Sequence, residues 1–283
     1  VFGAKGANGV IIVTTKVGET GRPKMNLSVE YGLDIPSDLP EHISSYTTAQ
    51  LLNVAKKNTG DWSLYTDREL QEYRSPSSRI NALRYPDNDW FDLLMQNAWS
   101  HRHTLSLSGG TSNVRYHASL GMNNQQGSTL GEKSKTYTAT FNLTGNYKRF
   151  KVTFGMNGSV TDTDGEPSDL NINDYAYNTS RAVPVYDADG NYWSYLRSTS
   201  ASATSTGDSY PFNILEDMEN SYRKQKNNSV TARAGVDYDI TSTLKITSLL
   251  SYSVSNNYTG NYHGQNTWYG RTLHKRYNAA TDD

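Results

Sequence analysis

Long segments in which apolar and polar residues alternate are the feature of this sequence that most restricts its fold. In the clearest of them, from Thr136 to Tyr147, nearly every second residue is apolar and the residues between are Thr or Asn. A period of two places successive side chains on opposite faces of a β-strand. The other segments that predict such two-faced strands are Lys24 to Tyr31, Thr104 to Ser108, Val114 to Met122, Phe150 to Val160, Asn228 to Ile240 and Leu244 to Tyr258.

The lengths of these segments and of their connections favour a membrane barrel. Most of the segments match the roughly 9–11 residues that a tilted transmembrane strand requires, whereas strands of soluble proteins average about 5–6. Short and long connections also alternate, as they do in bacterial outer-membrane barrels, which have short periplasmic turns and long extracellular loops. The short turns lie at Gly109–Asn113, Lys148–Arg149 and Thr241–Thr243, and the long connections at Leu33–Arg102, Asn123–Lys135 and Thr161–Asn227.

The composition is consistent with that architecture. Hydrophobic residues make up only 35% of the 283 residues, yet there are 21 tyrosines and the net charge is -1. A membrane barrel explains this, because half of each strand faces water and Tyr collects at the two interfaces. The balanced charge gives no reason to expect nucleic acid as a partner. Cysteine is absent, so disulfide and thiol chemistry are excluded. No apolar run approaches the roughly 18 residues of a membrane-spanning helix, so any span must consist of strands.

We therefore predict an all-β fold, namely a segment of a large antiparallel transmembrane β-barrel. About seven barrel strands are expected, joined by long and partly helical extracellular loops. An odd number too small for closure indicates a segment of a longer protein. Val1 also begins within an apparent motif, so we expect an export signal upstream of it.

The first sixteen residues combine a glycine-rich segment with a β-branched run. Gly3, Gly6 and Gly9 are evenly spaced and precede a run from Val10 to Thr15. Glycine permits positive φ and close backbone approach, so we predict a shaped loop that leads into a buried strand. Nucleotide binding is disfavoured, because a dinucleotide fingerprint follows a strand and opens a helix, and a P-loop ends in Gly-Lys-Ser/Thr.

The full stretch reads Phe2-Gly3-Ala4-Lys5-Gly6-Ala7-Asn8-Gly9-Val10-Ile11-Ile12-Val13-Thr14-Thr15-Lys16. It resembles the end of the plug domain in SusC/RagA-type TonB-linked outer-membrane transporters. Later segments resemble the opening barrel strands of the same family, in the same order. They are Tyr85–Trp90, His103–Gly110 and Tyr116–Gly121, and Pro184–Tyr192 resembles a recurring loop phrase of the family.

The resemblance implies a domain division and a set of structural residues. Residues 1–18 would be the C-terminal end of the plug domain, and residues 19–283 the N-terminal part of the receptor barrel. The residues implied to shape the plug–barrel junction are Gly3, Gly6, Asn8 and Gly9, and those implied to hydrate the channel or hold the plug are Arg115, Asn142, Lys151 and Arg233.

The resemblance also implies a function and partners. The function would be TonB-dependent, energy-coupled import of glycans or peptides across the bacterial outer membrane. A SusD-like surface lipoprotein would close over the barrel, the TonB complex would act through a region upstream of Val1, and outer-membrane lipid would surround the strands. Neither a cofactor nor covalent chemistry is expected.

The long connections carry helical signals of their own. Thr47–Lys57 begins with a cap-type Thr, Thr66–Glu69 reads as a capping box, and Asp87–Asp89 precedes a short amphipathic segment at Trp90–Met95. A folded first loop could contact a partner or form a locally packed cap, and both interpretations stay open.

Aromatic residues concentrate in the predicted loops, among Asn, Ser and Asp. Flat rings beside hydrogen-bonding groups suit sugars or peptides. Packing within the loops is the alternative at each position. The candidates for contact with a ligand or partner are Trp62, Tyr186, Tyr192, Trp193 and Trp268.

Three motifs that could carry chemistry have simpler interpretations. Asp187–Asn191 resembles the start of a calcium loop but lacks the required Gly and Glu further on, so we predict an Asp-Gly hairpin turn. His101 and His103 share a strand face without a third ligand at an obvious spacing. Asp237 and Asp239 lie near Arg233, for which simple charge pairing is expected. No catalytic or metal site is therefore predicted, and the protein is not expected to be an enzyme.

Two other classes of protein remain as alternatives. A passive porin or adhesin barrel would lack a plug and a TonB-binding segment. A secreted β-rich carbohydrate-binding module would purify without detergent.

Overall fold

The structure is a computed structural model that describes residue 16 and residues 18–167, 170–198 and 209–272. Within these residues, seven strands form one antiparallel sheet in which their order follows their order along the chain. Its strands are β1 (Gly21–Asp34), β2 (Ala98–Gly110), β3 (Val114–Gln126), β4 (Lys133–Tyr147), β5 (Phe150–Gly165), β8 (Ser221–Asp239) and β9 (Lys245–His263).

All seven predicted strands are present, but most are longer than their alternating segments. In β3 and β4, for example, pairing continues to Asn124 with Lys135 and to Gln126 with Lys133. Backbone hydrogen bonds do not require apolar side chains, so the ladder extends beyond the alternating region. The predicted long connection Asn123–Lys135 is therefore wrong, because only the six residues 127–132 separate β3 from β4.

The strand register sorts the side chains onto two faces. One face, here called the apolar face, includes a middle row formed by Leu27, Leu105, Leu120, Ala139, Gly158, Val230 and Val254. The other, the polar face, carries mainly Ser, Thr and Asn; one of its rows is Ser106, Ser119, Thr140, Asn157, Thr231 and Ser253.

The polar face is the more sheltered of the two. On β4, Tyr137 is 47% exposed on the apolar face, whereas Asn142 and Thr144 on the polar face are 9% and 5% exposed. In a soluble protein the apolar face of a sheet is the one that packs against a core. This sheet has the opposite arrangement.

The helices and two short strands belong to the connections. The first long connection contains α1 (Ser45–Asn58), α2 (Asp67–Arg74), α3 (Arg79–Arg84) and α4 (Trp90–Leu94). The later one contains α5 (Ile172–Asn178), β6 (Tyr195–Ser198), β7 (Ser209–Phe212) and α6 (Ile214–Asn220). None of the helices in the described ranges is long and apolar enough to cross a membrane.

The three helical segments predicted in the first connection are present, but the cap predicted at Thr47 is wrong, because α1 begins earlier and Ser44 caps it by accepting a hydrogen bond from the amide of Thr47. The Thr66 hydroxyl accepts a hydrogen bond from the amide of Glu69, whose carboxylate accepts one from the amide of Thr66. Asp89 caps α4 by accepting from the amides of Phe91 and Asp92. The helices α3, α5 and α6 and the β6–β7 pair were not predicted.

The hydrophobic core lies in the connections, not in the sheet. Its buried side chains are Trp90, Phe91, Leu94, Ile172, Ala176, Val185, Phe212 and Ile214. They come from both long connections, which thus fold together into one body. We call this body the loop cap, and it consists of residues 35–97 and 166–220 where these are described, with residues 264–272 packed against it.

Candidate functional site

The chain that leads into β1 is held against the polar face of the sheet. The side-chain amide of Asn142 donates a hydrogen bond of 3.0 Å to the backbone oxygen of Lys16. Gly18 is buried, and a Cβ atom at this position would overlap the backbone of Tyr116. The absence of a side chain at Gly18 therefore allows the backbone to contact β3 directly.

The polar side chains around this contact are also sheltered. Thr144, two residues after Asn142, is buried, and the Nε atom of Arg115 opposite it is enclosed without a hydrogen-bond partner in the described part of the chain. A buried guanidinium nitrogen normally has an acceptor. This part of the polar face is thus already shielded from solvent.

The predicted junction residues Gly3, Gly6, Asn8 and Gly9 lie outside the described residues. Their role in the plug–barrel junction, and the division between residues 1–18 and 19–283, remain predictions. The predicted lumen residues Asn142, Arg115, Lys151 and Arg233 all occupy polar-face positions in the strand register.

An ion-paired cluster joins the two halves of the loop cap. The Arg181 guanidinium lies 2.9 Å from the carboxylate of Asp87 through Nε and 2.8 Å from that of Asp89 through Nη1. Asp87 also accepts hydrogen bonds from the amide and hydroxyl of Ser45. Burial acts to raise the pKa of Asp87, but the hydrogen bonds from Arg181 and Ser45 outweigh it and lower the pKa. We call the contact of Arg181 with Asp87 and Asp89 the arginine latch.

The residues beside the latch strengthen the same connection. Asn88 donates a side-chain hydrogen bond to the oxygen of Val183, and the indole of Trp90 donates one to the oxygen of Ser180. The family-like segment Tyr85–Trp90 is thus the contact strip between the two long connections. Sequence reasoning missed Arg181, because its partners are 92 and 94 residues away and no local pattern marks them.

The five candidate aromatics divide into three environments. Trp62 is 94% exposed, and Trp268 is half-buried against the core of the loop cap. Tyr186 and Tyr192 stack with ring centroids 5.1 Å apart, and Trp193 follows with its amide bonded to the oxygen of Val185. Packing is therefore the role visible for Trp268, whereas Trp62 is open to a partner.

The Tyr186–Tyr192 pair stands at the base of a hairpin turn. Asp187 accepts hydrogen bonds from the amides of Asp189 and Asn191, and Gly190 has a φ of 86°. Because the Asp187 carboxylate closes the turn by itself, the prediction of an Asp-Gly turn is confirmed.

A cavity of about 570 Å³ lies beside the stacked tyrosines, between them and the ends of β4, β5 and β8. Three carboxylates, those of Asp164, Glu166 and Glu219, contribute to its wall. Burial, helped by the nearby charge of Glu132, raises the pKa of Glu166. Burial and a hydrogen bond with Glu219 raise the pKa of Tyr192. We call this cavity the tyrosine cup.

The remaining chemical motifs form local contacts. His101 Nδ1 lies 3.2 Å from His103 Nε2, and Asn124 bonds the other nitrogen of His101. Asp239 pairs with Lys245 at 3.5 Å rather than with Arg233, and Asp237 faces Lys151 in the strand register. Within the described ranges, no group of three or more His, Asp or Glu side chains is arranged to hold a metal ion.

Comparison with known proteins gives relatives of one kind. TonB-dependent receptor P26 of Formosa agariphila is 29% identical over 196 residues, which is 68% of this chain and 18% of that receptor. TonB-dependent receptor SusC of Bacteroides thetaiotaomicron is 24% identical over 317 aligned positions, covering 99% of this chain and 28% of SusC. No protein-family model matches the chain.

Solved structures agree on the fold. The RagAB peptide importer in the closed-closed state superposes with a TM-score of 0.68 over 95% of this chain, at 16% identity. The RagAB peptide transporter gives 0.65 over 92% of the chain. The chain spans 32% and 31% of these two neighbours. The seven-stranded sheet is thus an arc of a larger antiparallel β-barrel, and the chain is similar in sequence to TonB-dependent receptors, SusC among them, and in fold to RagAB.

Proposed function

We propose that the chain is part of a receptor that imports glycans or peptides across the bacterial outer membrane, driven by the TonB complex. The observation that carries this proposal is the inverted burial of the sheet, together with the segment docked on its polar face. Lipid would cover the exposed apolar face, and the polar face would line a wet interior.

The docked segment supports an occupied interior and not an open pore. Directly before β1, Lys16 bonds to Asn142 on the polar face and Gly18 lies against the backbone of Tyr116. A plug that ends at residue 18 would enter the barrel wall at this position. Around this contact Thr144 and the Nε atom of Arg115 are already buried, as expected for polar residues beneath a docked segment.

The loop cap supports a partner on the cell surface. It has its own core and its own ion-paired latch, and Trp62 projects from it with almost its whole ring exposed. A large exposed aromatic ring on an ordered body is typical of a protein contact. The resemblance to SusC-like receptors makes a SusD-like lipoprotein the proposed partner.

The imported substrate is proposed only as a class. The structural neighbour RagAB is a peptide importer, and the sequence resemblance implies glycans or peptides, so both classes are offered in the uptake experiment. Tyr186, Tyr192, Trp193 and Trp268 remain proposed contacts on the loops. No catalytic step is part of the proposal.

Uptake in cells tests the proposal. The full gene would be expressed in a strain that lacks its own copy, with and without TonB, and growth on oligosaccharide or oligopeptide mixtures would be measured. We expect the receptor in the outer-membrane fraction and growth only when TonB is present. TonB-independent uptake would indicate a passive porin, and a receptor recovered in the medium without detergent would indicate a secreted module; either result would overturn the proposal.

A further inference from the structure

Two rows of charged side chains cross the apolar face at the end of the sheet that carries the long connections. Each row spans β4, β5 and β8. Its members are an even number of positions from apolar residues of the same strand, so they lie on the same face as those residues. The rows combine four lysines with two aspartates and therefore have a net positive charge. They are Lys135–Asp162–Lys226 and, one step nearer the loop cap, Lys133–Asp164–Lys224.

The aspartates do not neutralise all four lysines. Asp164 pairs with Lys133 at 3.2 Å, and Asp162 pairs with Lys226 at 3.7 Å. Neither Lys135 nor Lys224 has an ion-pair partner in the part of the chain that the structure describes. All four lysines are exposed, so their ammonium groups are available to an anion outside the barrel wall.

An apolar groove of about 580 Å³ lies directly below these rows. Its floor contains the small residues Ala139 and Gly158, and its walls include Leu120, Tyr137 and Val160. A Cβ atom at Gly158 would have no neighbour nearer than 3.9 Å, so the floor is open. The groove has the shape and apolar character to hold an alkyl chain.

The tyrosine cup lies directly above the rows and shares Lys133 and Lys224 with them. Tyr186 is 41% exposed, and its ring stacks on that of Tyr192 with centroids 5.1 Å apart. A ring face next to carboxylate acceptors binds the apolar and hydroxyl surfaces of a sugar.

Groove, charged rows and cup thus form one stripe up the outside of the barrel wall. We propose that this stripe binds a phosphorylated glycolipid of the outer leaflet. An acyl chain lies in the groove, a phosphate group contacts Lys135 and Lys226, and the sugar enters the cup. The net positive charge between an apolar and a sugar-binding surface selects this occupant over a neutral lipid. The inference rests on the proposed function, because it requires lipid around the apolar face.

Binding of purified lipid A to the full-length receptor in detergent tests the proposal. The probes are bis-phosphorylated lipid A, the same lipid after dephosphorylation, and inorganic phosphate as competitor, with bound lipid counted by native mass spectrometry. Removing two cations, in Lys135→Gln with Lys226→Gln, is expected to weaken lipid A binding about tenfold. Lys245→Gln is the matched control, because Lys245 lies on the polar face but otherwise resembles Lys226. The side chains of Lys245 and Lys226 are 53% and 52% exposed, and their ion pairs with aspartate measure 3.5 Å and 3.7 Å.

Filling the groove gives an independent test. Gly158→Leu places a side chain in open space and is expected to lower lipid A binding by a similar factor. Gly145→Leu is its control, since Gly145 lies on the same face near the short turns and also has open space around its Cβ position.

Three results would overturn the proposal. The first is equal binding of the phosphorylated and dephosphorylated lipids, and the second is displacement of lipid A by millimolar inorganic phosphate. The third is lipid A binding by the double lysine variant and by Gly158→Leu that equals binding by their respective controls. TonB-dependent uptake is measured with the same variants. If TonB-dependent uptake persists but lipid A binding depends neither on the lipid's phosphates nor on the substituted residues, only this inference is overturned. If the receptor is absent from the outer-membrane fraction, both proposals are overturned.

Discussion

At the scale of single residues, the arginine latch is the contact on which the union of the two long connections depends most directly. Arg181→Ala leaves the carboxylates of Asp87 and Asp89 without their cation, and we expect it to open the loop cap locally by roughly 2 kcal/mol. The measurement is hydrogen exchange of residues 85–90 in the full-length receptor. Arg84→Ala is the control, because Arg84 is exposed and has no ion pair within the described ranges. Equal protection in both variants would contradict the assignment.

The latch also has a definite pH dependence. Asp87 has a lowered pKa in the folded chain, so its contribution to stability is complete above the ordinary carboxyl pKa of about 3.9. That contribution is lost as the pH falls through the lowered folded value. We expect unchanged protection of residues 85–90 between about pH 5 and 8 and a loss only in stronger acid, below about pH 4. A loss that begins near pH 6 would show that a group other than Asp87 controls the contact.

Gly18 gives a second prediction at this scale. Gly18→Ala introduces a methyl group into the backbone of Tyr116, and such overpacking costs roughly 1–3 kcal/mol. We expect the segment before β1 to leave the polar face, which protease cleavage near Lys16 in purified receptor would reveal. Gly145→Ala, where the added atom meets nothing, should leave the cleavage rate unchanged. Resistance of both variants to cleavage would mean that the contact at Gly18 is not needed for docking.

At the scale of elements, the strands could be predicted from sequence because the alternation of apolar and polar residues is a local signal. In a pleated strand it places the two kinds of side chain on opposite faces. Thr136–Tyr147 was predicted almost in full and is observed as Lys133–Tyr147. The ends could not be predicted, because residues such as Asn123–Gln126 lack alternation and are held by pairing with β4. The same limit applies to Arg181 and to the tyrosine cup, whose members come from separate connections.

The assignment of the two faces predicts opposite results for neighbouring residues of β3. Leu120 is 62% exposed in the middle row of the apolar face, and Ser119 lies on the polar face. A lysine facing lipid near the bilayer centre costs roughly 2–4 kcal/mol, whereas one facing water costs little. Leu120→Lys should therefore reduce the folded receptor in the outer membrane, measured by heat-modifiable migration, more than Ser119→Lys does. The reverse order would place lipid on the polar face.

At the scale of the whole molecule, the sheet and the loop cap are stabilised by different means. The sheet has continuous hydrogen-bonded ladders and exposed apolar side chains, whereas the loop cap has the hydrophobic core. A hydrophobic content of only 35% is consistent with a small core, but composition could not place that core in the loops. The reason is physical, because the core joins residues such as Trp90 and Phe212 that only the completed chain path brings together.

This division predicts that the loop cap and the barrel unfold independently. Trp90 is fully buried, and its replacement by Ala removes roughly 3–5 kcal/mol of packing from the loop cap alone. We expect Trp90→Ala to make residues 35–97 sensitive to protease and to abolish binding of the proposed surface lipoprotein, while the barrel keeps its heat-modifiable migration. Trp62→Ala serves as the comparison, because its ring is almost fully exposed. Trp62→Ala should leave the loop cap protease-resistant but still weaken its binding to the proposed lipoprotein. The comparison therefore separates loss of a contact residue from unfolding of the loop cap. Loss of barrel migration in Trp90→Ala would show instead that the two bodies fold as one cooperative unit.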